Sequence, residues 1–256
     1  MKSIAQLFIS LLLLIIVSCK PDKKEEIIKP ETPSLELKLN FSHFINNKAL
    51  DHNSIFTTNS GTKFTVDILR YYLSNFVLIQ KSGEEVPLKN SYLLINPDKS
   101  QYSIKDVPKG EYIGIKFGVG IDSITNHSDP TVHKKESPLA MQTPNMYWTW
   151  KSGYIFLSFE GSCDTTIAQS DSPIMGRFKG EYLFHIGNDW LYKNVSLSLP
   201  KTLLFDESKE INIEVDLTLF FDGIDLKTEN FTHSSATDNV SKKVAKNIPN
   251  MFKFSQ

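Results

Sequence analysis

Six histidines carry most of the metal-binding capacity of this sequence: His43, His52, His127, His133, His185 and His233. No two stand at the short local spacing of a helical or loop metal motif. A metal site would therefore have to be assembled from distant strands. Two of the six have suggestive surroundings. His43 ends the run Leu39-Asn40-Phe41-Ser42-His43-Phe44, and His185 stands inside Leu183-Phe184-His185-Ile186-Gly187. An imidazole among bulky apolar residues must satisfy its ring nitrogens or coordinate something. Neutral imidazole suits copper, zinc and iron. The plainer alternative is a histidine that is simply satisfied or exposed.

Aromatic, oxygen-donor and thiol side chains add three further candidates. Trp148 and Trp150 lie in Asn145-Met146-Tyr147-Trp148-Thr149-Trp150-Lys151-Ser152-Gly153-Tyr154. Two residues apart, they share one face of an extended segment. Such a pair can anchor a core, stack on a sugar ring, or act as a redox-active aromatic beside a metal. Asp122, Asn126 and Asp129 form an oxygen-rich loop of the kind that binds calcium, with a solvated turn as the alternative. Cys163 is a small core or loop residue, or a soft metal ligand.

The absences exclude several enzyme classes. There is no P-loop, no Rossmann glycine fingerprint, no G-x-S-x-G elbow, no H-E-x-x-H and no C-x-x-C. Acidic residues are plentiful, but no local pattern pairs two of them for acid–base work. The formal net charge is −1, which argues against a nucleic-acid footprint. Arg70 and Arg177 are the only arginines.

The elements that must position these residues read as strands. Leu35-Glu36-Leu37-Lys38-Leu39-Asn40-Phe41 alternates strictly, as a half-buried strand does. Residues 64–80 are rich in β-branched and aromatic side chains, with a bend at Asn75. Ser82-Gly83-Glu84 and Pro108-Lys109-Gly110-Glu111 are turn signals. Further strands are expected at 91–96, 112–120, 153–161, 182–186, 194–199 and 211–217. Together they predict an all-β chain, an antiparallel β-sandwich with long loops and a short C-terminal helix. Residues 121–150 are a long polar connection, a length that is often functional. The helix follows from Val240, Val244 and Ile248 at four-residue spacing, with Thr237 or Asp238 as cap and Pro249 as stop.

The N-terminus reads as a lipoprotein export signal. Lys2 precedes an apolar run from Ile4 to Val17, too short to span a bilayer comfortably. Ile16-Val17-Ser18-Cys19 resembles a lipobox, in which Cys19 becomes diacylated. Two or three acyl chains make a stable anchor. Removing residues 1–18 takes away one Lys and no acid, so the mature form carries −2. Lys20 to Pro33 is charged and proline-rich, and cannot bury enough apolar surface to fold. The expected organisation is signal peptide 1–18, lipidated Cys19 and tether 19–34, and one domain 35–256. The expected location is outside the inner membrane, anchored to the outer membrane and facing periplasm or cell surface. With Cys19 acylated, Cys163 has no disulfide partner.

At this level the residues resemble the MbnP-like family, copper-binding proteins named for a methanobactin-associated member. The resemblance covers roughly residues 35–254. It rests on ordered strings: Phe41-Ser42-His43-Phe44, Arg70-Tyr71-Tyr72-Leu73-Ser74-Asn75-Phe76, Gly118-Val119-Gly120-Ile121-Asp122-Ser123 and Asn126-His127-Ser128-Asp129-Pro130. Pro138-Leu139-Ala140-Met141, Trp148-Thr149-Trp150-Lys151-Ser152-Gly153-Tyr154 and Phe184-His185-Ile186-Gly187 complete the set. The resemblance implies a β-sandwich with one mononuclear copper site, a binding protein and not an enzyme. It implies His43 and His185 as ligands, with His233 as a third. It also implies oxidation of a tryptophan near the metal to kynurenine by a di-haem MauG-type peroxidase. Trp150, or else Trp148, is then the modified residue, and Tyr71, Tyr72 and Tyr147 either orient the imidazoles or pack the strands. The rival expectation is a metal-free surface module, a glycan or protein adhesin, that uses an exposed Trp pair.

Overall fold

The computed structural model describes residues 34–149, 151–166, 173, 176–235 and 237–255. Residues 1–33, on which the expected signal peptide, Cys19 and most of the expected tether fall, and Trp150 lie outside the described residues. Residues 34–256 make one compact unit.

Alternation in the sequence becomes strand after strand. Along the described chain these are β1 (Leu37–Ile45), β2 (Lys48–Ala49), β3 (Phe56–Thr57), β4 (Lys63–Phe64), β5 (Ile68–Gln80), β6 (Glu85–Pro87), β7 (Leu93–Ile95) and β8 (Gln101–Ile104). There follow β9 (Gly110–Val119), β10 (Tyr147–Thr149), β11 (Gly153–Cys163), β12 (Gly180–Gly187), β13 (Lys193–Phe205), β14 (Lys209–Asp216), β15 (Phe231–Thr232) and β16 (Phe252–Phe254). Two helices accompany them, α1 (Ser123–Asn126) and α2 (Asn239–Asn247).

The strands form two sheets. The smaller runs β16-β14-β1-β2, with β8 also paired to β1. The larger runs β13-β9-β5-β11-β12-β15, with short strands added at β5 and β11. Most pairings are antiparallel, as expected for the sandwich. β1 with β14 and β12 with β15 are parallel, which the alternation pattern alone does not reveal. Asn75 sits at φ +54° where the β5–β9 register shifts, so the expected bend is a bulge within one long strand.

The main core lies between the sheets. Leu37, Leu39 and Phe41 of β1 and Ile211, Ile213 and Val215 of β14 face Tyr71, Leu157, Phe159 and Phe184 of the large sheet. Burying such side chains is worth about 1.5–3 kcal/mol each. α2 closes one part of this core with Val244 and Ala245. Asp238 caps it by accepting the Val240 N–H at 2.8 Å, and a 3-10 turn containing Pro249 ends it.

A second, smaller core covers the outer face of the large sheet. Tyr72, Tyr154 and Phe156 point outward from β5 and β11, where Ile121, Leu139, Met146 and Tyr147 pack on them. The long connection 121–149 is therefore a packed cover. Tyr154 Oη donates to the Leu139 carbonyl at 2.7 Å, and Tyr72 Oη to that of Pro138 at 3.1 Å. These bonds satisfy loop carbonyls that would otherwise be buried at a cost. Gly153 has φ +75°, and a Cβ there would strike the Asn126 amide. The close approach lets Asn126 Oδ1 accept the Tyr154 N–H at 2.8 Å.

Candidate metal centre

Strand parity decides which candidates meet. In β12, Tyr182, Phe184 and Ile186 face the inter-sheet core, so His185 points to the other side. It lies opposite Ser158 of β11, which lies opposite Arg70 of β5. Beside it on the same face is Glu160. His185 Nε2 donates to Glu160 Oε1 at 2.8 Å, and Ser158 Oγ donates to the same oxygen at 2.6 Å. An ionised carboxylate only accepts, so the proton belongs on Nε2. That leaves Nδ1 as the ring's lone-pair nitrogen. It is buried and has no hydrogen-bond partner.

His233 follows directly on β15, which runs parallel to β12 with Phe231 opposite Leu183 and Thr232 opposite Phe184. The next step in that register brings His233 beside His185. Their rings stack with centroids 4.9 Å apart and planes 15° apart. Phe231 stacks on the outside of His233 at 4.8 Å, and the Trp148 ring lies 6.4 Å from it on another side. Burial, with the neighbouring His185 imidazole adding to it, holds His233 below the usual histidine pKa. The segment is pinned by Ser234, itself buried at φ +60°. Its Oγ donates to the His185 carbonyl at 2.7 Å and accepts the Gly187 N–H at 2.7 Å. Gly187 is a glycine for a second reason: a Cβ there would collide with the Trp148 ring.

His43 goes elsewhere. It is in phase with Leu37, Leu39 and Phe41 on β1, and so points into the inter-sheet core, 6 % exposed. Its Nε2 bonds to Tyr71 Oη at 2.9 Å. Burial pushes its pKa down to about 4 and holds the Tyr71 phenol well above the ordinary value. The expectation that His43 and His185 share one metal is therefore corrected, because the large sheet stands between them. His43 is a neutral, hydrogen-bonded core residue.

The other candidates take the following places. Asp122 caps α1 through the Thr125 N–H at 3.1 Å and accepts Tyr92 Oη at 2.7 Å. Asp129 caps the next turn through the Thr131 N–H at 2.8 Å, and Asn126 Nδ2 donates to Asp189 at 2.8 Å. The three side chains of the calcium loop thus serve separate local bonds. Cys163 is fully buried, and burial pushes its thiol up to about 12, so it is a core residue. Tyr71 and Tyr72 pack in opposite cores, while Tyr147 packs on Tyr154 at 5.0 Å. Trp148 is half-buried against Gly187 and does not present an open stacking platform.

Glu160, Ser234 and Gly187 were not singled out from the sequence. Ser158 and Glu160 carried a signal: two polar residues at alternate positions of an otherwise apolar strand.

Among the described residues no group of three or more His, Cys, Asp or Glu converges to hold a metal. The imidazole pair nonetheless fits a copper ion in donor chemistry. One buried nitrogen is orphaned, its ring is oriented by a carboxylate, and a second imidazole lies alongside. Cuprous ion in particular accepts few ligands.

The molecule is thus a two-sheet β-sandwich with an imidazole–aromatic cluster on the outer face of its large sheet. The sequence profile of the MbnP family matches residues 34–238, and the chain belongs to that family. Among solved structures it is similar to MbnP from Methylosinus trichosporium, at 15 % identity and a TM-score of 0.55. That match covers 83 % of this chain and 88 % of the other. At that identity the likeness speaks for the fold alone. A comparison with curated proteins returned no match.

Proposed function

We propose that this protein binds copper on the outer face of its large sheet, with His185 and His233 as the protein ligands, and serves in copper acquisition or handling without catalysing a reaction. The observation that carries this reading is the orphaned, buried Nδ1 of His185 beside the stacked His233, with Glu160 holding the opposite nitrogen. A carboxylate behind a histidine raises the basicity of the ligating nitrogen and fixes its direction. Bound there, copper would supply one-electron redox capacity. Phe231 and Trp148 would limit access of water to it.

In this reading Trp148 is the indole assigned to the site, and the one a di-haem peroxidase partner would convert to kynurenine. The N-terminal segment supports export and anchoring through Cys19 to the outer membrane. A Cys19→Ser change should release the protein from membranes.

The test is copper stoichiometry and affinity of the parent against His185→Ala and His233→Ala. The expected result is about one copper per parent chain and strongly weakened binding in both variants. Peptide mapping of protein from the native host reads the state of Trp148 in the same preparation. Parent-like binding in both variants would overturn the site.

A further inference from the structure

Positive charge without carboxylate partners gathers in a second place. A cavity of about 370 Å³ opens between β7, β8 and the loop 135–142. Arg70, Lys99 and Lys135 line it, and Glu136 is the acid beside them, so cations exceed carboxylates by two. Arg70 comes up from β5, half-buried. Its Nη1 donates to the Pro144 carbonyl at 2.8 Å and its Nη2 to Gln142 Oε1 at 3.3 Å. Its Nε–H is buried without a partner. These neutral acceptors tie down the loop but leave the guanidinium charge unbalanced. A half-buried cation without a counter-charge is costly unless an anion joins it.

The lysines are arranged for the same end. Lys99 Nζ lies 4.6 Å from the centre of the Tyr102 ring, a cation–π contact between two residues that line the cavity. Lys135 lines the same cavity from the loop. The remaining walls include Tyr92, Leu94 and Pro138. Bare phosphate would leave those carbon surfaces unused, whereas a short carbon chain with a carboxylate at each end would cover them.

We propose that this cavity binds a small organic dianion, a dicarboxylate of the succinate class. One carboxylate pairs with the Arg70 guanidinium and the other with Lys99 and Lys135. Arginine suits such a ligand because its planar fork matches a carboxylate. The site does not depend on the metal reading, since it shares no residue with the imidazole cluster.

Calorimetric titration of the full chain in metal-free buffer tests it, with succinate as probe, neutral succinamide as control and inorganic phosphate as competitor. Succinate should bind and weaken with added salt, and succinamide should not bind. Lys99→Gln and Lys135→Gln, both exposed, should each weaken succinate binding about two- to fivefold. Arg70→Lys should cost about tenfold or more. Because Arg70 also holds the loop, its variant is read beside a thermal melt, and the lysine variants decide. The proposal is overturned by no heat from succinate at millimolar concentration or by equal binding of succinamide. Preference for phosphate, or undiminished binding in the double lysine variant, would overturn it too.

Discussion

His43, on β1 of the small sheet, and His185, on β12 of the large one, lie on opposite sides of the large sheet, and their surroundings differ in kind. The imidazole of His43 is sealed between two sheets, bonded to Tyr71 and stripped of water. Desolvation favours its neutral form, and the hydrogen bond meets its need for a partner. His185 sits under partial cover on the outer face, bonded on one side to a carboxylate and, though buried, without a partner on the other. At the first site the Nε2 nitrogen and the Tyr71 hydroxyl satisfy each other within the fold. The second keeps an unmet lone pair beside another imidazole, an arrangement that costs stability unless a ligand takes it up. On the copper reading proposed above, the inner histidine serves the fold and the outer one the metal.

The largest effect expected from this contrast is a crossed pair of phenotypes. His185→Ala should abolish tight copper binding and leave the melting temperature little changed. His43→Ala should leave copper stoichiometry intact and destabilise the fold by about 2–4 kcal/mol, from a cavity and an orphaned Tyr71 hydroxyl. Denaturant melts and metal titrations on both variants measure the crossing. Equal loss of copper in both would erase the distinction between the two faces.

Acid should act through the inner face. Below the ordinary histidine pKa of 6.5 the unfolded chain takes up a proton at His43, which the folded chain resists until about pH 4. The contribution is therefore complete above the unfolded value and is lost as pH falls toward the folded one, by about 3 kcal/mol in all. Carboxylates add their own acid dependence, so the informative quantity is the difference between parent and His43→Gln in urea midpoints across that window. A parent curve that parallels the variant would show that His43 is not held neutral.

Two smaller effects sharpen the outer site. Glu160→Gln keeps the shape but removes the charge behind His185, and should weaken copper about 10–100-fold while the fold persists. Gly187→Ala forces the Trp148 ring aside. It should cost about 1–3 kcal/mol by overpacking and shift tryptophan fluorescence. An unchanged emission spectrum would mean that Trp148 does not rest on Gly187.

Parity in the sequence already held much of this division. The apolar alternation Leu37, Leu39, Phe41 carries through to His43, which marks it as a core position. His185 breaks phase with Tyr182, Phe184 and Ile186, which marks it as facing the other way. The two phases set the imidazoles apart, whereas the shared-ligand expectation rests on the family motifs, which carry no strand parity. The strands, the bulge at Asn75 and the capped C-terminal helix were legible because each rests on local pattern or a capping side chain. The parallel pairing of β12 with β15 was not, since β15 spans two residues and its partner lies 48 positions away in register. That pairing is what brings His233 to His185. Nor could the sequence show that the connection 121–149 packs as a second core, because the tyrosines that hold it come from β5 and β11.

The central claim is that the metal lies on the outer face, against His185 and His233. Anomalous scattering at the copper edge, from crystals of the protein loaded with copper, tests it most directly. The account predicts one strong peak within coordination distance of His185 Nδ1 and of the His233 ring. A peak beside His43, or none near His185, would contradict it.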